Sequence, residues 1–279
     1  MPRWICLSLA IGLASCVSEP EPVAPQAGVG VPWATDFEKV NWLAEWTPKT
    51  TGRFGFDNFS IEAEAGAPFS RFLRVQYPKG SSSPRGSRAA GVKEGGGQFY
   101  GTLASGPVDA LFLRYYVRFE AGFDFVKGGK LPGFYGGTQV SGGHTPDGTN
   151  GFSTRFMWRT SGQGEVYAYL PSSDKFGTSL GRGDFSFTPG KWHCLEQQVV
   201  LNTPGAANGA VRAWLDGKPV YQHEHLLYRT VPSLQIEGVF FSTFFGGGDS
   251  SWAPTSDFYV DFAHFATGPE RIGCATGSG

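Results

Sequence analysis

Charge is scarce in this 279-residue chain, with Asp, Glu, Lys and Arg making up 17% of it against the roughly 25% usual in globular domains. Neither sign is in surplus: 23 Lys and Arg face 24 Asp and Glu. A duplex-binding surface needs a basic excess to displace phosphate counterions, so nucleic acid is excluded as a partner. Helical patterning is missing as well, since no window of about a dozen residues repeats its apolar positions every 3.6 residues. Few charges and 41 glycines together exclude a coiled coil. Histidine occurs five times. His223 and His225 alternate on one run with Glu224 between them, but no third ligand accompanies them, so they read as surface residues and no metal is expected. What is plentiful is aromatic and turn-forming: 24 Phe, 10 Tyr, 8 Trp, 41 Gly and 19 Pro. That many aromatics supply a large core and argue against disorder. The combination indicates a turn-rich β domain.

The N-terminus reads as an export device. Residues 4–14 form a short apolar run after Arg3, below the roughly 20 residues a bilayer span requires but suited to a secretory signal. It ends Leu13-Ala14-Ser15-Cys16, which resembles a bacterial lipobox. Residues 1–15 are therefore expected to be a lipoprotein signal, with lipidation at Cys16 anchoring the protein to a membrane. Val17 in place of Asp favours, by the same resemblance, the outer membrane of a two-membrane bacterium. Residues 16–32 carry Pro20, Pro22, Pro25 and Pro32 and read as an extended tether. Cys6 leaves with the signal and Cys16 takes lipid. Cys194 and Cys274 remain in an oxidising compartment, and a disulfide between them is expected.

Residues 33–279 read as one domain, without a second linker or internal repeat. Strand-like runs recur at 72–77, 110–120, 151–159, 165–170, 197–202, 211–215, 219–223, 239–245 and 257–265. In the second, Leu111, Leu113, Tyr115, Val117 and Phe119 share one face; Phe112, Arg114, Tyr116 and Arg118 share the other, which either joins a groove or lies on the convex side. Asp216-Gly217 marks a hairpin, and Arg182-Gly183-Asp184 reads as a turn. The expected fold is an all-β antiparallel sandwich of jelly-roll type with a concave substrate groove.

One hairpin concentrates chemistry. In 151–159, Phe152, Phe156 and Trp158 alternate with Ser153, Arg155, Met157 and Arg159; in 165–170, Val166, Ala168 and Leu170 alternate with Glu165, Tyr167 and Tyr169. A turn centred on Gly162 would set Arg155 opposite Tyr169 and Met157 opposite Tyr167. Either way Ser153, Arg155, Tyr167 and Tyr169 gather on one face. A guanidinium beside two phenols suits proton abstraction next to a carboxylate: the cation neutralises the carboxylate, and a tyrosine whose pKa is lowered by nearby cations serves as base. The plainer alternative is an exposed face on which Arg and aromatics stack. Upstream, Lys127-Gly128-Gly129-Lys130-Leu131-Pro132-Gly133 reads either as a Gly-rich loop presenting Lys130 to a ligand or as a plain turn. It is no phosphate loop, because Leu131 stands where Ser or Thr is required.

The runs KGGKLPG, GFSTRFMWR and GEVYAYLP resemble polysaccharide lyase family 14, the alginate and glucuronan lyases. RVQYPKGS, GGGQFYG, GKWHCLEQQVVLNTPG, AWLDGKPV and FFSTFFGGGDSSWAP extend the likeness over most of 33–272. The resemblance implies a jelly-roll enzyme, acting as a monomer without metal or organic cofactor, that cleaves an anionic uronate polysaccharide by β-elimination. It implies Lys130, Ser153, Arg155, Tyr167 and Tyr169 as the catalytic set. Lys130 and Arg155 would hold the carboxylate and stabilise the enolate-like intermediate, Ser153 would position the sugar, and the tyrosines would take the C5 proton and protonate the leaving O4.

Further substrate contacts are expected from Gln98 and Tyr100, from His144 in the Gly-rich segment 136–151, a candidate lid, and from Ser251 and Trp252 in the segment 244–252. For His144 the competing reading is a solvated loop histidine, and for 244–252 a structural loop. Two other functions compete: a non-catalytic carbohydrate-binding surface lipoprotein on the same scaffold, and a glycoside hydrolase. A pure binder has no need of a Tyr pair beside an Arg. A hydrolase needs two carboxylates flanking the bond, and the site strand offers only Glu165.

Overall fold

The computed structural model describes residues 33–138 and 140–275. The signal at 1–15, Cys16 and the tether at 16–32 lie outside the described residues. Among the described residues, fourteen strands form two antiparallel sheets packed face to face. The eight-stranded sheet contains β1 (Trp33–Thr35), β2 (Phe59–Glu62), β3 (Phe72–Tyr77), β5 (Ala110–Phe119), β10 (Trp192–Val200), β11 (Gly209–Leu215), β12 (Lys218–Leu226) and β14 (Phe258–Gly268). Its order is β12-β11-β10-β5-β14-β3-β2, with β1 pairing the second half of β14. The six-stranded sheet contains β4 (Gly97–Thr102), β6 (Gly128–Gly137), β7 (Gly151–Arg159), β8 (Gln163–Tyr169), β9 (Thr178–Ser186) and β13 (Gly238–Phe245), in the order β4-β13-β6-β7-β8-β9. The all-β sandwich expected from the sequence is the fold observed. Among the described residues the single α-helix, α1 (Pro84–Ala90), is seven residues long and is capped by the Ser83 side chain.

The alternation within each strand decides what lies between the sheets. Leu111, Leu113, Tyr115, Val117 and Phe119 of β5 point inward and meet Leu131, Phe134, Phe152, Phe156 and Trp158 of the other sheet in one continuous core. Each large apolar side chain buried there contributes about 1.5–3 kcal/mol. Arg114, Tyr116 and Arg118 fall on the outer face of the eight-stranded sheet, away from the six-stranded one. There Arg118 and Arg74 both pair with the buried Asp261. Cys194 on β10 is bonded to Cys274 in the C-terminal tail. At the hairpin of β11 and β12, Asp216 and Gly217 both have positive φ, the geometry their dipeptide indicates.

Three local expectations are corrected. The segment 128–133 is not a loop: it opens β6, a central strand hydrogen-bonded to β13 and β7. Its glycines serve packing, since a Cβ on Gly129 would lie 2.0 Å from the Trp158 ring and one on Gly133 2.0 Å from the Thr154 carbonyl oxygen. Pro132, which has no N–H to give a ladder, sits where the register slips between Leu131 and Gly133. The inward Tyr115 hydroxyl donates to the Pro132 carbonyl (3.1 Å), so the far sheet props this irregularity. Arg182-Gly183-Asp184 lies within β9 rather than in a turn. The turn between β7 and β8 centres on Ser161, one residue before Gly162, with both in the left-handed region. That shift pairs Arg155 with Tyr167, Ser153 with Tyr169 and Met157 with Glu165.

Candidate active site

The outer face of the six-stranded sheet is unusual in being both polar and buried. Lys130, Ser153, Arg155, Arg159, Glu165 and Ser242 all point out of the core yet are at most 8% exposed. They form a polar floor on the face where the substrate groove is expected. One transverse row of paired residues runs Tyr100, Phe240, Gly133, Arg155, Tyr167, Ser179. A second runs Phe244, Lys130, Met157, Glu165, and a third pairs Tyr135, Ser153 and Tyr169. The five residues of the expected catalytic set thus come together on three adjacent strands.

Arg155 is the centre of this arrangement. It is 2% exposed, and its Nη1 donates to Ser242 Oγ (3.1 Å). Its Nε has no partner, and it makes no ion pair with any described residue. The guanidinium carbon lies 4.7 Å from the Phe240 ring centre and 5.9 Å from that of Tyr169. Ser242 Oγ in turn donates to Gln98 Oε1 (3.0 Å), and Gln98 Nε2 to the Gly52 carbonyl, so Gln98 braces the arginine through Ser242. Burial pulls the Arg155 pKa down, against the three tyrosines around it. A buried guanidinium with an open donor and no counter-ion is costly unless an acceptor arrives.

Lys130 stands one row away. Its Nζ lies 2.7 Å from Met157 Sδ and 3.4 Å from the Tyr167 ring centre. Burial, with Arg155 and Arg159 nearby, holds its pKa well below the usual lysine value. The Tyr167 hydroxyl goes the other way: burial and Tyr169 push it up to about 12, outweighing Arg155 and Arg159. The expectation of a tyrosine lowered by cations therefore fails for Tyr167, because the burial that screens this face from water opposes its ionisation. The Tyr167 and Tyr169 rings meet edge to face, 5.8 Å apart. Gly177, in the loop 170–177, leaves no room for a side chain: a Cβ there would come within 2.9 Å of both rings.

The loops sort the remaining candidates. Ser153 Oγ donates to the Val140 carbonyl (2.6 Å), holding the loop 140–150 against the sheet. Tyr100 stacks on Phe240 at 4.3 Å and packs against Tyr135, so it lines the same face. His144 is exposed on the loop 140–150. Ser251 accepts from Lys127 Nζ (2.7 Å) and bonds Asp249, while the Trp252 ring fills the space beside Gly247. This loop borders that floor through Gly246, which lies against the Lys130 side chain. His223 and His225 are exposed on β12 of the other sheet. Among the described residues no cluster of three His, Cys, Asp or Glu could hold a metal.

Sequence reasoning missed the contributions of Ser242 and Phe240 to this floor, while it set Met157, Arg159 and Glu165 on the right face without giving them a part in the site. The first two were findable by extending alternation to 238–245, where Val239, Phe241 and Phe245 point inward and their neighbours outward.

Comparison with known proteins follows the same lines. The family description "Polysaccharide lyase 14" matches residues 67–265. A marine PL-14 alginate lyase from Aplysia kurodai superposes with a TM-score of 0.73 at 33% identity, over 86% of this chain and 99% of that one. An alginate lyase from a Chlorella virus gives 0.65 at 23% identity, over 75% and 88%. An endo-β-1,4-glucuronan lyase from the fungus Trichoderma reesei gives 0.53 at 11% identity, over 85% and 94%, a likeness of fold. A comparison with curated protein sequences finds no match.

Proposed function

Starting from its membership of the polysaccharide lyase 14 family, to which the chain belongs, we propose that it cleaves a uronic-acid polymer, alginate or glucuronan, by β-elimination. The observation that carries this reading is Arg155: a guanidinium buried in that floor, with no counter-ion among the described residues, beside two tyrosines and a lysine. A uronate carboxylate supplies the missing anion. Abstraction of the C5 proton pushes negative charge onto that carboxylate, so a cation already in place favours the transition state over the ground state.

The roles divide by protonation. Arg155 and Lys130 receive the carboxylate, and an incoming anion raises the Lys130 pKa again. Tyr167, held protonated by its surroundings, suits donation to the departing O4. Tyr169, edge to face with it on the same strand, is the group placed to accept the C5 proton. Ser153 holds the loop 140–150 by donating to Val140, and its oxygen keeps lone pairs with which to accept from the sugar. Gln98 acts through Ser242, and Tyr100 offers a ring to a neighbouring sugar. The chemistry needs no metal or organic cofactor.

Elimination and hydrolysis leave different products. Mass spectrometry of digested polymannuronate should show oligomers whose new non-reducing ends are lighter by one water than hydrolysis products. Products of hydrolytic mass would overturn the reading. Intact polymer, with oligosaccharide still retained by the protein, would favour the carbohydrate-binding alternative. We further propose export, with lipid on Cys16 anchoring the domain to the outer membrane through the 16–32 tether. Palmitate labelling of the full chain that is unaffected by Cys16→Ala would remove that proposal.

A further inference from the structure

Glu165 is a buried carboxylate to which the mechanism above gives no task. It is fully buried on β8, two residues before Tyr167 on the same face. Its Oε1 receives Arg159 Nη2 at 2.5 Å, and Ser179 Oγ bridges both partners at 3.2 Å each. Its Oε2 and Arg159 Nε have no partner. Such a pair is a poor stabilising device, because apolar side chains of similar volume usually serve as well or better. Its placement suggests another use. Glu165, Met157 and Lys130 occupy one transverse row, and the Arg159 guanidinium carbon lies 5.5 Å from the Tyr167 ring centre. The Tyr167 ring therefore has Lys130 against it on one approach and Arg159 on another.

We propose that Glu165 is a positioning residue of the lyase site: it holds Arg159 beside Tyr167 and supplies the one anionic charge that balances the cations around Lys130. This rests on the lyase reading above. The charge count explains why it matters. The floor carries Arg155, Arg159 and Lys130 against the single carboxylate of Glu165. Glu165 offsets one of these positive charges, and a bound uronate carboxylate offsets a second. Without Glu165 the floor carries one positive charge more in either state.

The groups facing Lys130 are Arg155 and Arg159 from β7, Glu165 and Tyr167 from β8, and the uncharged Phe244 from β13. Those facing Tyr167 are Tyr169 and Glu165 from β8, Arg155 and Arg159 from β7, Lys130 from β6 and Ser179 from β9. Glu165 raises both pKa values, and Arg159 lowers both. Removing the carboxylate charge must move both groups in the same direction, towards acid.

The test is the pH profile of kcat/KM on polymannuronate, polyguluronate and glucuronan. Glu165→Gln should move both limbs to acid by about one pH unit, a typical size for one partly screened charge in such a site. Glu165→Asp, which keeps the charge, should lower kcat without moving the profile. Arg159→Gln should move it towards alkali, and it carries the test alone if Glu165→Gln does not fold. A purely structural pair would lower the thermal midpoint and leave the profile where it was. Unmoved limbs in a folded variant, with an active wild type, overturn this inference alone. A wild type inactive on all three polymers overturns the lyase reading beneath it.

Discussion

Replacing Arg155 by Met separates binding chemistry from folding. The side chain is 2% exposed, with one hydrogen bond to a neutral hydroxyl and an unpaired Nε. Met matches its length and removes the charge and all its donors. In a water-poor groove, one donor aimed at developing negative charge is worth about 3–4 kcal/mol. Kcat/KM should therefore fall by about 10²–10³-fold, or more if both nitrogens of the fork engage the carboxylate. Arg155→Lys keeps the charge but loses the planar fork, and should fall between the two. Stability should behave oppositely. Removing a buried charge that has no ionic partner is neutral to favourable, so the thermal midpoint should hold or rise. The assay is initial rate from the ultraviolet absorbance of the new double bond, with calorimetry on the same preparations. If Arg155→Met keeps kcat/KM within about threefold of wild type, the carboxylate is held elsewhere and the reasoning fails; that margin is under about 0.7 kcal/mol.

Three further outcomes are expected. Tyr167→Phe and Tyr169→Phe should each cost about 10²–10⁴-fold in kcat, the usual size of a lost proton-transfer group; full activity in both would refute the tyrosine assignment. Lys130→Met should melt higher than wild type near neutrality, because the folded state holds this amine well below its ordinary 10.5. Between that lowered value and 10.5 the unfolded chain binds a proton that the folded one does not, so wild-type stability climbs with pH and the gap should close; a gap independent of pH would contradict the burial argument. Cys194→Ser with Cys274→Ser opens a crosslink with a sequence separation of 80. The chain-entropy model gives about 4.5 kcal/mol for it, or roughly 9–18 °C in Tm, and an unchanged midpoint would mean that the tail is held by its other bonds.

Strand alternation made much of this legible. The two-faced pattern of β5 and β7 fixed which residues meet in the core, and it placed Ser153, Arg155, Tyr167 and Tyr169 on one face before any register was known. Register itself was not legible, because it turned on whether Ser161 or Gly162 centred the turn, and a non-glycine residue in the left-handed region is an uncommon choice. β6 was misread because glycine and proline ordinarily mark loops. Here they answer to the bulk of Trp158 and to a register slip propped from the opposite sheet, neither of which is local information. The upward shift of Tyr167 was hidden for a related reason. Nearby cations can be counted from sequence, but the burial that outweighs them depends on the loops that wall the groove.

The most direct measurement follows the ultraviolet absorbance of unsaturated uronate while the purified domain is incubated separately with polymannuronate, polyguluronate and glucuronan. Wild type should give a steady rise on at least one polymer, and Arg155→Met, folded by calorimetry, should give almost none. No rise on any of the three, or an equal rise with Arg155→Met, would contradict the account.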